Sequence, residues 1–487
     1  MYLNYRGILR VMTVLCMILG IAMLPALLVS TIYSETTVAL SFAMVSLVLI
    51  LIGVIIWHNF KPSPIPFTIR DGFLIVSLSW IFISVVGSLP YIISGAIPNF
   101  VDALFESVSG FTTTGASILT DVEALPKGLL FWRALSQWLG GIGVIMLVVA
   151  LLPALGFEGQ TIAKIELTGP VLTKATPKIT DAARILYIIY IIFTLLETFL
   201  LLLGGMNLFD SVTHAFTTMS TGGFTNYNDN IAHFNSAYIE CVVIVFMFLA
   251  GINFNLYFFA VSHKPSELLK DAEFGAYAII ALVSSVILAV FLYASNIFGT
   301  IGESVRQGVF HTVSILSTTG FAISDFSIWP SFAATILFIL MFIGGCSSSP
   351  AGGIKVIRVY ACLKLVKRGL LRRLHPNAIM QVKLRDKVMD VDDVLSIASF
   401  IFFYTILICG ASVLIAFDGH DMTTCITAAS SCLSNIGIGL GKVSPALNYD
   451  IFSSPIKLLL SFLMIAGRLE LFTLFMMLSH RFWNPNH

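Results

Sequence analysis

Charge is scarce in this sequence of 487 residues: Asp, Glu, Lys and Arg make up only 11% of it, against about 25% in a soluble globular protein. A chain with so little polar surface cannot face water all round. Its 57% hydrophobic content and mean hydropathy of +0.94 place it in a lipid bilayer. An excess of one sign is also missing. Lys and Arg number 27 and Asp and Glu 26, and the net charge of +1 excludes nucleic acid as the main partner. There is no Walker A motif, no GxGxxG after a strand, no HExxH and no GxSxG, which argues against an enzyme. The seven cysteines (Cys16, Cys241, Cys346, Cys362, Cys409, Cys425, Cys432) form no CxxC and have no His at metal-ligand spacing, so they read as buried apolar thiols. The apolar run behind Arg6 and Arg10 has no small-residue cleavage pattern and continues to about Val29, so it reads as a first transmembrane helix.

What is abundant is long apolar segments. Roughly 20 apolar residues cross a bilayer core as a helix. Ten segments are long enough, near 9–30, 37–57, 72–94, 128–152, 183–204, 236–260, 274–298, 331–361, 392–417 and 454–481. An even number puts both termini on one side. Between the spans lie stretches near 100–113, 208–219, 303–318 and 420–434 that are too short to cross and read as re-entrant. Lys127, Arg133, Arg306, Lys442 and Lys457 fall on one side of this plan and Arg468 inside a span, while all other Lys and Arg residues fall on the opposite side. Cytoplasmic loops are enriched in these residues, so both termini are expected in the cytoplasm and the short segments to dip in from outside.

An internal repeat organises the chain. Each short segment ends in a polar stretch meeting glycine: Phe111-Thr112-Thr113-Thr114-Gly115, Met219-Ser220-Thr221-Gly222-Gly223, Ser317-Thr318-Thr319-Gly320-Phe321 and Ser434-Asn435-Ile436-Gly437. The span that follows carries Leu139-Gly140-Gly141, Leu249-Ala250-Gly251, Ile343-Gly344-Gly345 or Ile465-Ala466-Gly467. Irregular backbone at membrane depth is tolerated only inside protein or beside water. Four such loops around one axis would offer rings of carbonyl oxygens to a dehydrated cation. The fold expected is all-α and membrane-embedded, an N-terminal two-helix hairpin plus four span, pore-helix, filter-loop, span repeats around a central pore. The divisions expected are a hairpin over 1–60, repeats over 70–155, 180–262, 272–361 and 391–483, and a cytoplasmic basic segment over 362–390.

The segments Gly110-Phe111-Thr112-Thr113-Thr114-Gly115-Ala116, Trp138-Leu139-Gly140-Gly141-Ile142-Gly143 and Gly344-Gly345-Cys346-Ser347-Ser348-Ser349-Pro350-Ala351-Gly352-Gly353-Ile354-Lys355 resemble the bacterial Trk potassium-uptake proteins of the TrkH/TrkG type, along the whole chain. That resemblance implies a K⁺-selective pore in the inner membrane, a homodimer and a cytosolic nucleotide-binding regulatory ring of the TrkA type. It places K⁺ on the carbonyls of Thr113, Thr114, Ser220, Thr221, Thr318, Thr319, Asn435 and Ile436, with Gly115, Gly222, Gly320 and Gly437 closing the loops. In related plant transporters a serine at the first of these glycines goes with sodium preference, so four glycines favour potassium. The fourth loop departs from the pattern, with Asn435-Ile436 in place of a hydroxyl pair, so one or two ion sites are expected. K⁺ is the transported ion and no organic cofactor is expected. A Na⁺- or H⁺-coupled symporter with the same pore is the alternative, and a small-solute carrier a more distant one.

Four glycines and Pro350 among Gly344, Gly345, Cys346, Ser347, Ser348, Ser349, Pro350, Ala351, Gly352 and Gly353 should unwind the second span of the third repeat into a gate loop or a kink. Arg468 sits at matching depth in the last span and is either an electrostatic barrier or the ion-pair partner of Glu470 or another acid. Glu197 is a proton site or a buried, partnered acid. Asp102, Glu106, Asp210, Glu303, Asp325, Asp418 and Asp421 near the outer ends of the short helices read as an acidic mouth, as helix caps, or both. The ten cations from Lys355 to Lys387 read as a contact for anionic lipids or as a docking surface for a cytosolic subunit.

Overall fold

The computed structural model describes residues 3–60, 67–141, 143, 179–261, 270–375, 383–384, 387–389 and 391–483. Apolar runs without polar periodicity become long helices, because in lipid a backbone must satisfy its own hydrogen bonds. The first span is α1 (Tyr5–Ala22) followed by α2 (Leu24–Ile32), with a proline in the first turn of α2, and α3 (Thr36–Asn59) completes the hairpin. The first spans of the repeats are α4 (Ile69–Ile93), α7 (Ile179–Leu203), α11 (Ala272–Ala294) and α15 (Val391–Ile415). Among the described residues six spans, counting α1 with α2, are long and apolar enough to cross a membrane. Large apolar side chains such as Leu195, Leu282 and Phe402 lie exposed on them, which suits a surface that meets acyl chains.

The short helices are α5 (Phe100–Phe111), α8 (Leu208–Met219), α12 (Ile301–Leu316) and α16 (Met422–Ser434). Each begins at a side-chain cap, from Asn99, Asn207, Thr300 and Asp421 in turn, which satisfies an otherwise orphaned first-turn N–H.

The second spans correct the sequence reading, which expected an interruption only in the third repeat. Within the described residues, three of these spans are each split in two. The pieces are α9 (Ala237–Ala250) and α10 (Phe254–Val261), then α13 (Ser331–Ile343) and α14 (Val356–Leu374), then α17 (Ser454–Arg468) and α18 (Phe472–Leu478). The first repeat's α6 (Lys127–Gly141) stops at the same glycine signature, and the rest of the span expected over 128–152 lies outside the described residues apart from Gly143. The carbonyls freed by these breaks find donors elsewhere. Gly251 accepts from the Cys346 N–H at 2.8 Å, and Gly141 from Arg468 Nη2 at 2.8 Å.

A two-residue antiparallel hairpin, β1 (Lys383–Leu384) with β2 (Lys387–Val388), the short α19 (His480–Trp483) and several 3-10 turns are also present. Two large apolar cores and a small cluster around Ile357 and Ala361 form among the described residues. One joins the hairpin to the first and fourth repeats, the other joins the second and third, and Trp138 packs against both.

Candidate functional site

The C-terminal ends of the four short helices are built alike. The N–H groups of Thr114, Gly222, Thr319 and Ile436 each donate five residues back, to Ser109, Thr217, Ser314 and Ser431, at 2.8 to 3.0 Å. The residue before each donor is left-handed: Thr113 (φ 55°), Thr221 (55°), Thr318 (58°) and Asn435 (54°). The residue after it is a glycine at positive φ: Gly115 (81°), Gly223 (75°), Gly320 (77°) and Gly437 (86°). This is a Schellman-type ending, repeated four times.

The register in the second loop differs from the expectation. Gly223, not Gly222, stands with Gly115, Gly320 and Gly437, so Gly222 corresponds to Thr114, and Ser220 to Thr112. The expectation slipped because it took the first glycine of a pair. The dipeptides Gly223-Phe224 and Gly320-Phe321 carried the correct register in the sequence.

These glycines close a ring. A Cβ on Gly115 would stand 2.1 Å from the Gly222 carbonyl oxygen, one on Gly223 1.9 Å from that of Thr319, one on Gly320 2.0 Å from that of Ile436, and one on Gly437 2.3 Å from that of Thr114. Each loop therefore presents the same carbonyl to its neighbour's glycine, in the order first, second, third, fourth, first. No other residue type fits at these approaches. Side chains tie the ring further: Thr112 with Thr114 and Ser317 with Thr319, both at 2.8 Å, and Asn435 Nδ2 donating to Thr114 Oγ1 at 2.9 Å.

Beside the ring lies the interrupted segment of the third repeat. α13 stops at Gly344 (φ 75°) and α14 resumes after Lys355 (φ 78°). Between them Gly352 donates to Thr318 Oγ1 at 2.7 Å, and a Cβ on Gly352 would stand 2.0 Å from the Ser434 carbonyl oxygen. The segment thus lies directly against two of the four loops. It is held in shape from within by Lys355, whose ammonium donates to the carbonyls of Ala351 (2.7 Å), Ser349 (3.2 Å) and Cys346 (3.3 Å). From outside, Glu273 accepts from the N–H and hydroxyl of Ser347 and, at 3.3 Å, from the Ile357 N–H.

Arg468 joins this segment to the first repeat, donating to the carbonyls of Pro350 (2.5 Å), Gly141 (2.8 Å) and Gly140. Glu470, two residues on and left-handed at φ 54°, pairs with Arg358 of α14, whose guanidinium also lies 4.1 Å over Phe400. A cavity of about 440 Å³ opens here, lined by Arg468, Lys355, Glu470, Asn435 and residues 348–353.

The acids are mostly occupied in structural work. Asp102 pairs with Lys457 at 2.7 Å, and Asp210 accepts from Asn207, Asn226 and Tyr227. Asp418 accepts from Ser453, and Asp421 caps α16. Glu303 lies in the first turn of α12 and Asp325 caps a short 3-10 turn. The Thr424 hydroxyl above all holds the Asp421 carboxyl below its ordinary pKa, as the Asn228 amide does for Asp121. Glu106 is different: it is fully buried and ion-paired with Arg133 at 2.8 Å. Glu197 is fully buried in α7, with no ion-pair partner among the described residues. Cys16, Cys346, Cys425 and Cys432 are buried, Cys241 and Cys409 exposed and Cys362 between, all as free thiols, so burial holds for only part of the set.

Sequence reasoning missed Gln137, Glu273 and Lys355 as contacts of these loops. Gln137 was a polar residue in an apolar span, which was a usable signal. Glu273 and Lys355 read as a helix-start acid and the first of a basic run.

The family model of TrkH cation transport proteins matches residues 40–484. The chain is 34% identical to the Trk system potassium uptake protein TrkH of Vibrio parahaemolyticus, across 99% of this chain and 100% of that one. To TrkG of Escherichia coli K12 it is 32% identical, across 97% of this chain and 98% of that one. The crystal structure of the potassium transporter TrkH from Vibrio parahaemolyticus matches with a TM-score of 0.89 at 33% identity, over 99% of this chain and all of that one. These relatives are named as transport proteins and not as enzymes. A multi-pass membrane chain with this helical architecture and these full-length matches belongs to the TrkH family of Trk potassium uptake transporters.

Proposed function

We propose that the protein takes up K⁺ across the bacterial inner membrane through a pore whose filter is the ring of four loops. The observation that carries this reading is the closed cycle of carbonyl-to-glycine approaches, which aligns four equivalent carbonyls and leaves no room for a Cβ. Carbonyl rings replace the hydration shell of a cation. The filter residues are Thr113, Thr114 and Gly115, Thr221, Gly222 and Gly223 with Ser220 before them, Thr318, Thr319 and Gly320, and Asn435, Ile436 and Gly437. On this reading the chain is divided into the four repeats expected from the sequence, and both termini face the cytoplasm, in keeping with the Lys and Arg distribution.

Gly344 to Gly353 and Arg468 form the gate. The support is their position against the third and fourth loops, beside the cavity. A cytosolic nucleotide-binding ring acts on this gate through α14, which continues from the loop at Lys355 and exposes Leu363, Val366, Leu370 and Leu374 among its basic residues. Anionic lipid headgroups meet the same basic face, and the functional unit is a homodimer, as in the family it resembles. The test is Rb⁺ uptake into liposomes holding purified protein, with an imposed K⁺ gradient and no H⁺ or Na⁺ gradient. Saturable uptake blocked by K⁺ and not by Na⁺ is expected, and uptake that needs a Na⁺ or H⁺ gradient would replace the channel with a symporter.

A further inference from the structure

We propose that Gln137 and Arg133 of the first repeat are positioning residues that hold the second repeat's loop in its K⁺-selecting shape; this rests on the reading of the four loops as a filter. The two lie four residues apart on α6, hence on one helix face. Gln137 Nε2 donates to the Gly222 carbonyl at 2.7 Å, and Gln137 Oε1 accepts from the Phe224 N–H at 3.1 Å. One side-chain amide thus spans Gly223 as a neighbouring strand would. Arg133 continues the clamp, with Nη1 donating to the Thr225 carbonyl at 3.1 Å and the guanidinium stacked 4.0 Å over Phe224. Its Nε is held by Glu106, which also accepts from Ser117 Oγ and the Ile118 N–H at 3.1 Å, just beyond the first loop. The exits of two adjacent loops therefore share one buried network.

The second loop needs this support more than the others. At the position after the left-handed residue, the other loops carry a side chain that anchors them: Thr114 and Thr319 through hydroxyl pairs, and Ile436 by complete burial. The second loop has Gly222 there, followed by Gly223, and consecutive glycines are the least restricted backbone available. Gly222 is itself required by the clamp, since a Cβ on it would stand 2.4 Å from Gln137 Cδ. The atom that Gln137 holds is the Gly222 carbonyl oxygen, the second loop's member of the ring. A buried ion pair is weak support for stability, and in some systems it fixes one geometry instead. Where a filter discriminates by cavity size, K⁺ is told from the smaller Na⁺ by carbonyls that do not collapse inward.

The test measures, on purified full-length protein in liposomes, the Na⁺ and K⁺ concentrations that half-inhibit Rb⁺ uptake, together with the melting temperature. Gln137→Met keeps length and volume while removing both hydrogen bonds. Gln137→Glu, the second variant should the first not fold, keeps an acceptor for Phe224 N–H and loses the donor to Gly222. The proposal expects the Na⁺/K⁺ ratio to fall at least fivefold in either. A folded variant with lower stability or flux and an unchanged ratio overturns it, provided that Gly223→Ser shifts the ratio. If Gly115→Ser and Gly223→Ser both leave the ratio unchanged, the filter reading itself is what fails.

Discussion

Glu273, in the first turn of α11, receives both the backbone N–H and the hydroxyl of Ser347 at 2.6 Å each. The same carboxylate reaches Ile357 in the first turn of α14, so it grips the interrupted segment at its start and just beyond its end. A charged acceptor strengthens each such bond to about 1.5–3 kcal/mol. If the segment leaves its seat when the pore conducts, Glu273 opposes opening. Glu273→Gln keeps the shape and removes the charge, and basal Rb⁺ flux in liposomes should rise about five- to thirtyfold, equivalent to roughly 1–2 kcal/mol. Unchanged flux in a folded variant would mean that this contact persists in the conducting state.

The ring geometry sharpens the expectation for Gly115. Because a Cβ there meets the Gly222 carbonyl oxygen at 2.1 Å, Gly115→Ala should be enough to spread the first two loops, and Gly115→Ser should narrow the preference for K⁺ over Na⁺. Competition of Na⁺ with Rb⁺ uptake reads this directly. Wild-type selectivity in Gly115→Ser would remove the loop from the filter.

Removal of the interrupted segment of the third repeat is structurally feasible. Gly344 and Gly353 lie against each other, with the Ile354 N–H bonded to the Phe342 carbonyl at 3.0 Å, so deleting residues 346–352 leaves ends that already meet. Basal K⁺ flux should rise without any cytosolic partner. A folded deletion that conducts no better than wild type would reduce the segment to a kink.

How far the sequence foretold this arrangement depended on the physics involved. Length and hydropathy located the spans, and the four polar-to-glycine endings located the ring, because both patterns are local and repeated. The breaks in the second and fourth repeats were hidden. Leu249-Ala250-Gly251 and Ile465-Ala466-Gly467 contain one glycine each, too few to signal interruption, and the chain turns there because carbonyls such as that of Gly251 find donors in another repeat. At Glu470 and Leu471 the turn even uses non-glycine residues at φ 54° and 57°. Gln137 stood out as a polar residue in an apolar span, but its partner and that of Glu273 were hidden for the same reason: they lie 85 and 74 positions away in the chain.

Arg468 separates a barrier from a scaffold. A fixed positive charge about 4 Å from a narrow path, at an effective dielectric near 20, repels K⁺ by roughly 4 kcal/mol, enough to slow permeation about a thousandfold if nothing relieves it. Its guanidinium donates to the carbonyls of Pro350, Gly140 and Gly141, while Glu470 is engaged by Arg358. Arg468→Ala leaves these three neutral carbonyls beside a cavity of about 440 Å³ with room for water. The loss should be about 1 kcal/mol per hydrogen bond, a fall of several degrees in melting temperature, together with a large gain in flux. Arg468→Lys keeps the charge and gives up the planar fork that reaches three carbonyls at once. It should lose comparable stability while flux stays near that of wild type. Flux and melting temperature on one preparation of each variant distinguish the roles: if alanine and lysine raise flux equally, the arginine acts by holding the loop, and its charge is not the barrier.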